Sequence, residues 1–288
     1  MFLALDLDGT LLRPDKTIGD EENAWIIDYL EKNNLLAIIT SRNYFDMIKC
    51  LSHLVDAGNK NMYLAYNEGA NIIARGKKLE DMPQLSSKDI KEIIELSRHH
   101  TVGYTVFTNS GNLELFNNNL SLINVKIKLF LQGMKTSKIL TVSDYQKTVT
   151  DNAWKIKFKL KPGRHAYDVY NSILKKLKNF CVTNNEGVIE IMHRNSGKLG
   201  ALMAICQIEN IEIRDVVYIG DEGNDIYCFK HTDSYAMGNA PEWVKQKAKH
   251  ITSDNNHGGV YEVMKIITKK NSRSRGQLLL NGDENNWI

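Results

Sequence analysis

"MFLALDLDGTLL", residues 1–12, ends a short apolar run on two aspartates, Asp6 and Asp8, directly before Gly9-Thr10. The run is too short for a secretory core or for the ~20 apolar residues of a membrane-spanning helix. It reads as a buried strand that delivers an acidic pair to its tip. Residues two apart in a strand point to one side, so both carboxylates face the crevice where open α/β sheets bind ligands. Carboxylates that close together share a proton or require a cation. A hard divalent ion such as magnesium is held by one or two carboxylates together with waters and substrate phosphate oxygens. Gly9 allows the sharp turn after the pair.

Outward from this strand, strand and helix signals alternate, the pattern of a parallel sheet with crossover helices. "GDEENAWIIDYLEKN" (19–33) predicts a helix capped by Asp20, with Glu21 and Glu22 in its first turn and Ala24, Ile27 and Leu30 on its apolar stripe. "LLAIIT" (35–40) is a second buried strand, "YFDMIKCLSHLVDA" (44–57) a helix with Ile48, Leu51, Leu54 and Val55 on one stripe, and "MYLAYN" (62–67) a third strand.

Residues 82–193 change character. "SSKDIKEIIELSRH" carries Ile90, Ile93 and Ile94 at helical spacing, and "RHAYDVYNSILKKLKN" carries Val169, Ile173 and Leu177. Around them lie alternating segments, "TVGYTVFT", "AWKIKFKLK" and "VIEIMH", the mark of a sheet wet on one face. From 196 the earlier rhythm returns. "SGKLGALMAICQI" places Leu199, Leu202, Met203 and Cys206 on one stripe, "DVVYIG" and "SYAMG" are strands, Pro241 opens a helix, and "GGVYEVMKIITKK" closes the core. The expectation is an α/β protein, a Rossmann-like doubly wound core made of 1–81 and 194–270, interrupted by an inserted α+β domain at 82–193 and followed by a polar tail at 271–288.

Composition limits the function classes. The 288 residues carry 42% hydrophobic side chains, enough for a sizeable core. A net charge of +3 on 37 basic and 34 acidic residues argues against nucleic acid as the main partner. Cys50, Cys181, Cys206 and Cys228 form no C-x-x-C and read as reduced core thiols. No membrane span and no signal peptide is recognised, so a cytoplasmic protein is expected, as a monomer or homodimer. In that setting the acceptor pattern Asn119-Leu120-Ser121 carries no meaning.

The acidic pair has a partner. "IGDEGNDI" again follows an apolar strand and groups Asp221, Glu222 and Asp225 with Gly220 and Gly223, so two glycine-containing turns at neighbouring strand tips can set Asp6, Asp8 and Asp221 around one magnesium. Such a site repels anions unless positive groups offset it. "IITSRN" places Thr40, Ser41 and Arg42 at the tip of the second strand, where hydroxyl and backbone donors can hold a phosphoryl oxygen. Lys198 falls in the first turn of a helix, an unfavourable place for a cation without an anion nearby. Thr40 also suits a cap for the following helix, and Lys198 a solvated surface charge.

The order D-x-D-G-T, strand-end Thr, helical Lys, then G-D-x-x-N-D resembles the haloacid dehalogenase-like phosphatases, and the position of the insert resembles their Cof-type branch. The likeness covers about residues 1–265. It implies Asp6 as nucleophile and Asp8 as general acid/base, with Thr40 and Lys198 holding the transferring phosphoryl group. It further implies that Asp221 ligates magnesium with Asp6 and the backbone carbonyl of Asp8, that Asp225 orients this metal site, and that Asn224, Asn239 and Asn255 line the phosphate pocket. The chain departs from the family where Ser41 replaces a glycine, where Asn67-Glu68-Gly69 replaces asparagine-glycine, and where Gly258-Gly259 replaces aspartate-glycine.

The implied reaction is magnesium-dependent hydrolysis of a small phosphorylated metabolite, a sugar phosphate or a phosphorylated cofactor such as flavin mononucleotide or pyridoxal phosphate, through an aspartyl-phosphate. Phosphosugar mutases share the motifs, and a non-catalytic phosphate-sensing module on this fold is the rival outside enzymes. "RNSGKLG" imitates a P-loop, but Met192 and Leu199 stand where its first glycine and its hydroxyl residue belong. In the insert, Lys155, Lys157, Lys159 and Lys161 alternate with Trp154, Ile156, Phe158 and Leu160. This lysine comb reads as a solvated sheet face, or as a lid surface that attracts anions. His193 and Arg194 at the exit from the insert are candidates for substrate contact or plain linker.

Overall fold

A computed structural model describes residues 1–55, 61–74, 77–79, 82–108, 111–117, 138–148, 152–161, 166–176, 180–185 and 187–269. Asn119–Ser121, Leu177, the side chain of Val169 and the tail at 271–288 lie outside the described residues. The chain forms two compact units, one of Met1–Tyr66, Ile73–Leu79 and the chain from Leu202 onward, the other of Asn67–Ile72 and Glu80–Ala201.

The chain begins β1 (Phe2–Leu5), α1 (Asp20–Glu31), β2 (Leu35–Ile39), α2 (Tyr44–Val55), β3 (Met62–Tyr66), β4 (Asn71–Ala74) and β5 (Lys77–Lys78). The inserted region follows as α3 (Ser87–Ser97), β6 (Gly103–Thr108), β7 (Gly111–Phe116), β8 (Lys138–Thr141), α4 (Val142–Thr148), β9 (Ala153–Lys159), α5 (Ala166–Lys176), β10 (Phe180–Asn185) and β11 (Val188–His193). It closes with α6 (Gly197–Glu209), β12 (Val216–Gly220), α7 (Ile226–Phe229), β13 (Asp233–Ala236), α8 (Glu242–Lys245), β14 (His250–Ile251) and a helix over 259–269.

The first sheet runs β14-β13-β12-β1-β2-β3-β4-β5. Its strands from β14 to β3 are parallel, with Leu5 opposite Ile219 on one side and Ile38 on the other. Phe2–Leu5, Leu36–Ile39 and Val216–Ile219 are buried on both faces, which is why they read as continuous apolar runs rather than alternating ones. Chain order reverses between β1 and β12, so the tips of these two strands form the topological switch point at which such sheets bind ligands. Leu3, Leu5, Leu7, Ile38, Met47, Leu51, Met237 and Val263 belong to one core.

Two helix faces differ from expectation. Gly19, not Asp20, is the N-cap of α1, and Asp20 joins Glu21 and Glu22 in the first turn. Its buried residues include Ile26, Tyr29 and Leu30, while Ala24 is exposed. Trp25 stacks on Tyr29 at 4.5 Å between ring centroids, and covering these rings removes far more apolar area from water than covering Ala24. In α6 the buried stripe is Ala201, Leu202, Ile205 and Cys206, leaving Met203 54% exposed. Pro241 caps α8 rather than occupying its first turn. None of the four cysteines is in a disulfide; Cys206 and Cys228 are buried, Cys50 is half-buried against the main core, and Cys181 is half-buried on β10.

The second sheet runs β10-β11-β9-β6-β7-β8, antiparallel except between β7 and β8. Ser86 and Asp89 form a capping box on α3, which buries Ile90, Ile93 and Ile94 as expected. On β9, Trp154, Ile156 and Phe158 are buried, as is Leu160 just beyond it. The lysine face is not uniformly solvated. Lys155 is only 6% exposed, lies 3.5 Å from Glu68 and 3.4 Å from Glu190, and sits 5.1 Å over the ring of Phe107. Lys157 pairs with Glu190 at 3.1 Å, whereas Lys159 and Lys161 are exposed.

The turn at 67–72 groups with this second unit for a packing reason. Asn67, Glu68 and Gly69 all have positive φ, and a Cβ on Gly69 would lie 2.7 Å from the carbonyl oxygen of Gly197. Only glycine lets this turn lie against the start of α6.

Candidate active site

Three neighbouring strands end together. The Asp6 N–H donates to the Ile219 carbonyl at 2.9 Å, carrying the β1–β12 pairing one residue past the strand, and Asp221 follows β12 directly. The carboxylates of Asp6, Asp221 and Asp225 each offer an oxygen within 4.8 Å of the others, and the residues are 4%, 8% and 0% exposed. Three buried carboxylates this close repel one another unless a cation or protons intervene. Oxygen-only donors suit a hard divalent cation.

Local sequence builds this cluster. Gly9 has φ +71°, and a Cβ there would stand 2.2 Å from Asp221 Oδ2, so any side chain would expel the carboxylate. The Thr10 hydroxyl donates to Asp221 Oδ1 at 3.0 Å. Asn239 Nδ2 donates to the Gly9 carbonyl at 2.8 Å and to Asp221 Oδ2 at 3.4 Å. Asn239 Oδ1 accepts from the Asn255 N–H at 3.1 Å, and Asn255 Nδ2 donates to the Leu12 carbonyl at 2.7 Å. The two asparagines therefore lace the acidic loops together.

Asp225 has a distinct task. Its Oδ2 accepts the N–H groups of Asp221 and Glu222, both at 3.0 Å, and its Oδ1 accepts the Tyr218 hydroxyl at 2.7 Å. Burial pushes the Tyr218 phenol well above its ordinary range, with the charge of Asp225 adding to the shift, so it remains a donor. Asp225 thus fixes the turn that presents Asp221. Sequence reasoning missed Tyr218 and Thr10. The signal for Tyr218 is a phenol inside the apolar strand "VVYIG", where a buried hydroxyl needs a partner.

The side chain of Asp8 stands outside the carboxylate cluster. Its Oδ2 accepts Arg42 Nε at 2.6 Å, and its Oδ1 accepts Arg42 Nη2 at 2.7 Å and Lys16 Nζ at 2.8 Å. The Arg42 fork holds the carboxyl down to about 2 against the upward push of burial, and Lys16 assists. Arg42, expected to hold a phosphoryl oxygen, here spends its guanidinium on Asp8.

Thr40 is buried at the end of β2, its N–H bonded to the Ala65 carbonyl at 2.9 Å and its Oγ1 accepting the Arg42 N–H at 3.2 Å. It does not cap α2; Asn43 does, accepting the Asp46 N–H at 3.0 Å. Ser41 is exposed, and Asn224 lies half-buried in the 221–225 turn. Lys198 is buried in the first turn of α6, within the second unit, so it is no solvated surface charge. His193 is half-buried and Arg194 exposed at the end of β11.

The haloacid dehalogenase-like hydrolase family model matches residues 3–264. The 5-amino-6-(5-phospho-D-ribitylamino)uracil phosphatase YwtE of Bacillus subtilis is 24% identical, over 90% of this chain and 94% of its own. An HMP-PP phosphatase of Escherichia fergusonii is 23% identical, over 86% of this chain and 88% of its own. Among solved structures, SMU.1108c from Streptococcus mutans superposes with a TM-score of 0.72 at 21% identity, covering 93% of this chain and 98% of that one.

Proposed function

The chain belongs to the haloacid dehalogenase-like hydrolases, and on that premise we propose that it is a divalent-metal-dependent phosphatase that hydrolyses a small phosphorylated metabolite through an aspartyl-phosphate on Asp6. The observation that carries this reading is the buried trio of Asp6, Asp221 and Asp225 at adjoining strand tips. Asp6 and Asp221 would hold the cation with the backbone carbonyl of Asp8, and Asp225 would keep Asp221 aimed. When bound, a magnesium ion neutralises the carboxylates and the phosphoryl oxygens, lowering the barrier to anionic attack.

Asp6 contributes a carboxylate oxygen that forms a bond to phosphorus as the ester oxygen departs. Asp8 is the group assigned to give the departing oxygen a proton and then to take one from the water that attacks the aspartyl-phosphate, releasing phosphate and restoring Asp6. To act first as the acid it has to take up a proton on Oδ1 where Lys16 now donates, so the Lys16 contact that helps hold it ionised is released before that step. Thr40 and Lys198 are the groups assigned to the phosphoryl oxygens, with Asn224, Asn239 and Asn255 lining the pocket. The inserted unit is read as carrying the residues that select the leaving group. Relatives named for a phosphoribitylaminouracil and for HMP-PP support a small phosphorylated molecule as substrate.

The test is a magnesium-supplemented screen of phosphorylated metabolites with free phosphate as the readout, repeated with chelator and with Asp6→Asn. Phosphate release that both treatments abolish is expected. Retention of phosphate on the sugar would favour a mutase, and ordinary turnover by Asp6→Asn would overturn the reading.

A further inference from the structure

We propose that Arg42 is a positioning residue for Asp8, a rigid bracket that sets where the proton-moving carboxylate stands, rather than a ligand for the substrate phosphate. This rests on the reading of Asp8 as the group that protonates the leaving oxygen.

The geometry is a two-point fork. Arg42 reaches both Asp8 oxygens at 2.6 and 2.7 Å, while its Nη1 donates to the Asp46 carbonyl at 3.2 Å and to Cys50 Sγ at 3.0 Å. Four protein acceptors on three residues thus receive the guanidinium, whose side chain is 18% exposed, and little donor capacity is left for an incoming anion. Two of those acceptors belong to α2, so the bracket is anchored on a helix rather than on a loop. The Arg42 N–H is itself bonded to Thr40 Oγ1. The tip of β2 and the acid at the tip of β1 therefore form one unit.

Lys16 is the contrasting arm. Its side chain is 55% exposed, and among the described residues its ammonium bonds Asp8 Oδ1 alone, at 2.8 Å. Departure of this arm leaves Asp8 still gripped at both oxygens by Arg42, with one side of Oδ1 open to a leaving group. A single ammonium cannot hold a carboxylate at two points, so lysine is no substitute for Arg42.

The experiment compares Arg42→Ala, Arg42→Lys and Asp8→Asn on p-nitrophenyl phosphate, whose leaving group needs no proton, and on glycerol 2-phosphate, whose alkoxide does. For Arg42→Ala, kcat on glycerol 2-phosphate should fall about 10- to 100-fold, part of the range that a general acid supplies, with KM changed less than about threefold and nitrophenyl turnover nearly kept. Arg42→Lys, which retains the charge and guards against misfolding, should show the same split, and added guanidinium should restore part of the alkyl-phosphate rate in Arg42→Ala alone. A rise in KM with kcat intact on both substrates would make Arg42 a phosphate ligand and overturn the proposal. Equal loss of kcat on both would reduce it to general scaffolding. If Asp8→Asn shows the split and the Arg42 variants do not, the bracket fails alone; if Asp8→Asn itself shows no split, the reading of Asp8 fails and the proposal with it.

Discussion

Replacing Lys155 by methionine removes the buried cation that faces two carboxylates in the inserted unit. At 3.5 Å from Glu68, and with an effective dielectric of about 20, the attraction is roughly 5 kcal/mol before desolvation is counted. The loss is not doubled, because Lys157 stays 3.1 Å from Glu190 and continues to compensate it. The cost falls mainly on Glu68, buried and deprived of the Lys155 ammonium, and should be about 3 kcal/mol, near the low end for a broken buried pair. For a unit of this size that lowers the melting temperature by about 10 °C.

The pH dependence has a definite sign. Burial alone would raise the Glu190 carboxyl, but Lys155 and then Lys157 outweigh it and hold it below its ordinary value. A carboxyl lowered in the folded state adds stability above its unfolded pKa, and that stability is lost as pH falls through the folded value. Because Lys155 contributes to this term, the gap between wild type and Lys155→Met should be widest near neutrality and narrow below about pH 4. Calorimetry at pH 7 and pH 4 measures it. A second arm adds Glu68→Gly, which removes the carboxylate that faces Lys155 and relieves a non-glycine residue at φ +59°. On that background Lys155→Met should cost less than about 1 kcal/mol, a coupling that a double-mutant cycle isolates. A Lys155→Met penalty that is the same with and without Glu68, or that is flat with pH, would refute the reasoning.

Gly9→Ala drives a methyl group into Asp221 Oδ2 and puts alanine at φ +71°, so the magnesium concentration for half-activation should rise at least about tenfold, beyond the ~1–2 kcal/mol of backbone strain; an unchanged magnesium requirement in a destabilised variant counts against the site. Tyr218→Phe removes the buried donor to Asp225 and should cost about 1.5–3 kcal/mol, as for hydrogen bonds to charged groups, with a parallel loss of activity from the loosened 221–225 turn; denaturant titration and initial rates test the two parts. Asn239→Ala cuts the ties to Gly9 and Asp221 and should weaken magnesium activation more than it lowers melting temperature, which the same pair of assays would contradict by showing the reverse.

The continuous apolar runs at 2–5, 36–39 and 216–219 made the parallel sheet legible, because strands buried on both faces have no polar alternation to hide them. The alternation in "TVGYTVFT" and "VIEIMH" likewise made the antiparallel strands of the second sheet legible. Helix faces were less legible: Ala24 and Met203 fit a helical stripe by spacing, yet the stacked Trp25 and Tyr29 and the branched Ile205 offered more area to bury.

Acidic residues directly after buried apolar strands singled out Asp6, Asp8, Asp221 and Asp225 as candidates, since a strand's end is a local property of the chain. Which of them converge is not local. Asp6 and Asp221 meet because parallel pairing sets Leu5 beside Ile219, and that register is chosen by the whole sheet. Pairings between distant side chains were decided in the same way: Arg42 turned from the expected phosphate toward Asp8, Lys155 left the solvated comb for Glu68 and Glu190, and Tyr218 became the donor to Asp225. One-dimensional pattern reveals which residues are charged and where strands stop; whether a charge meets solvent, substrate or an opposite charge depends on the neighbours that folding brings within a few ångströms, where the Coulomb energy is large enough to choose.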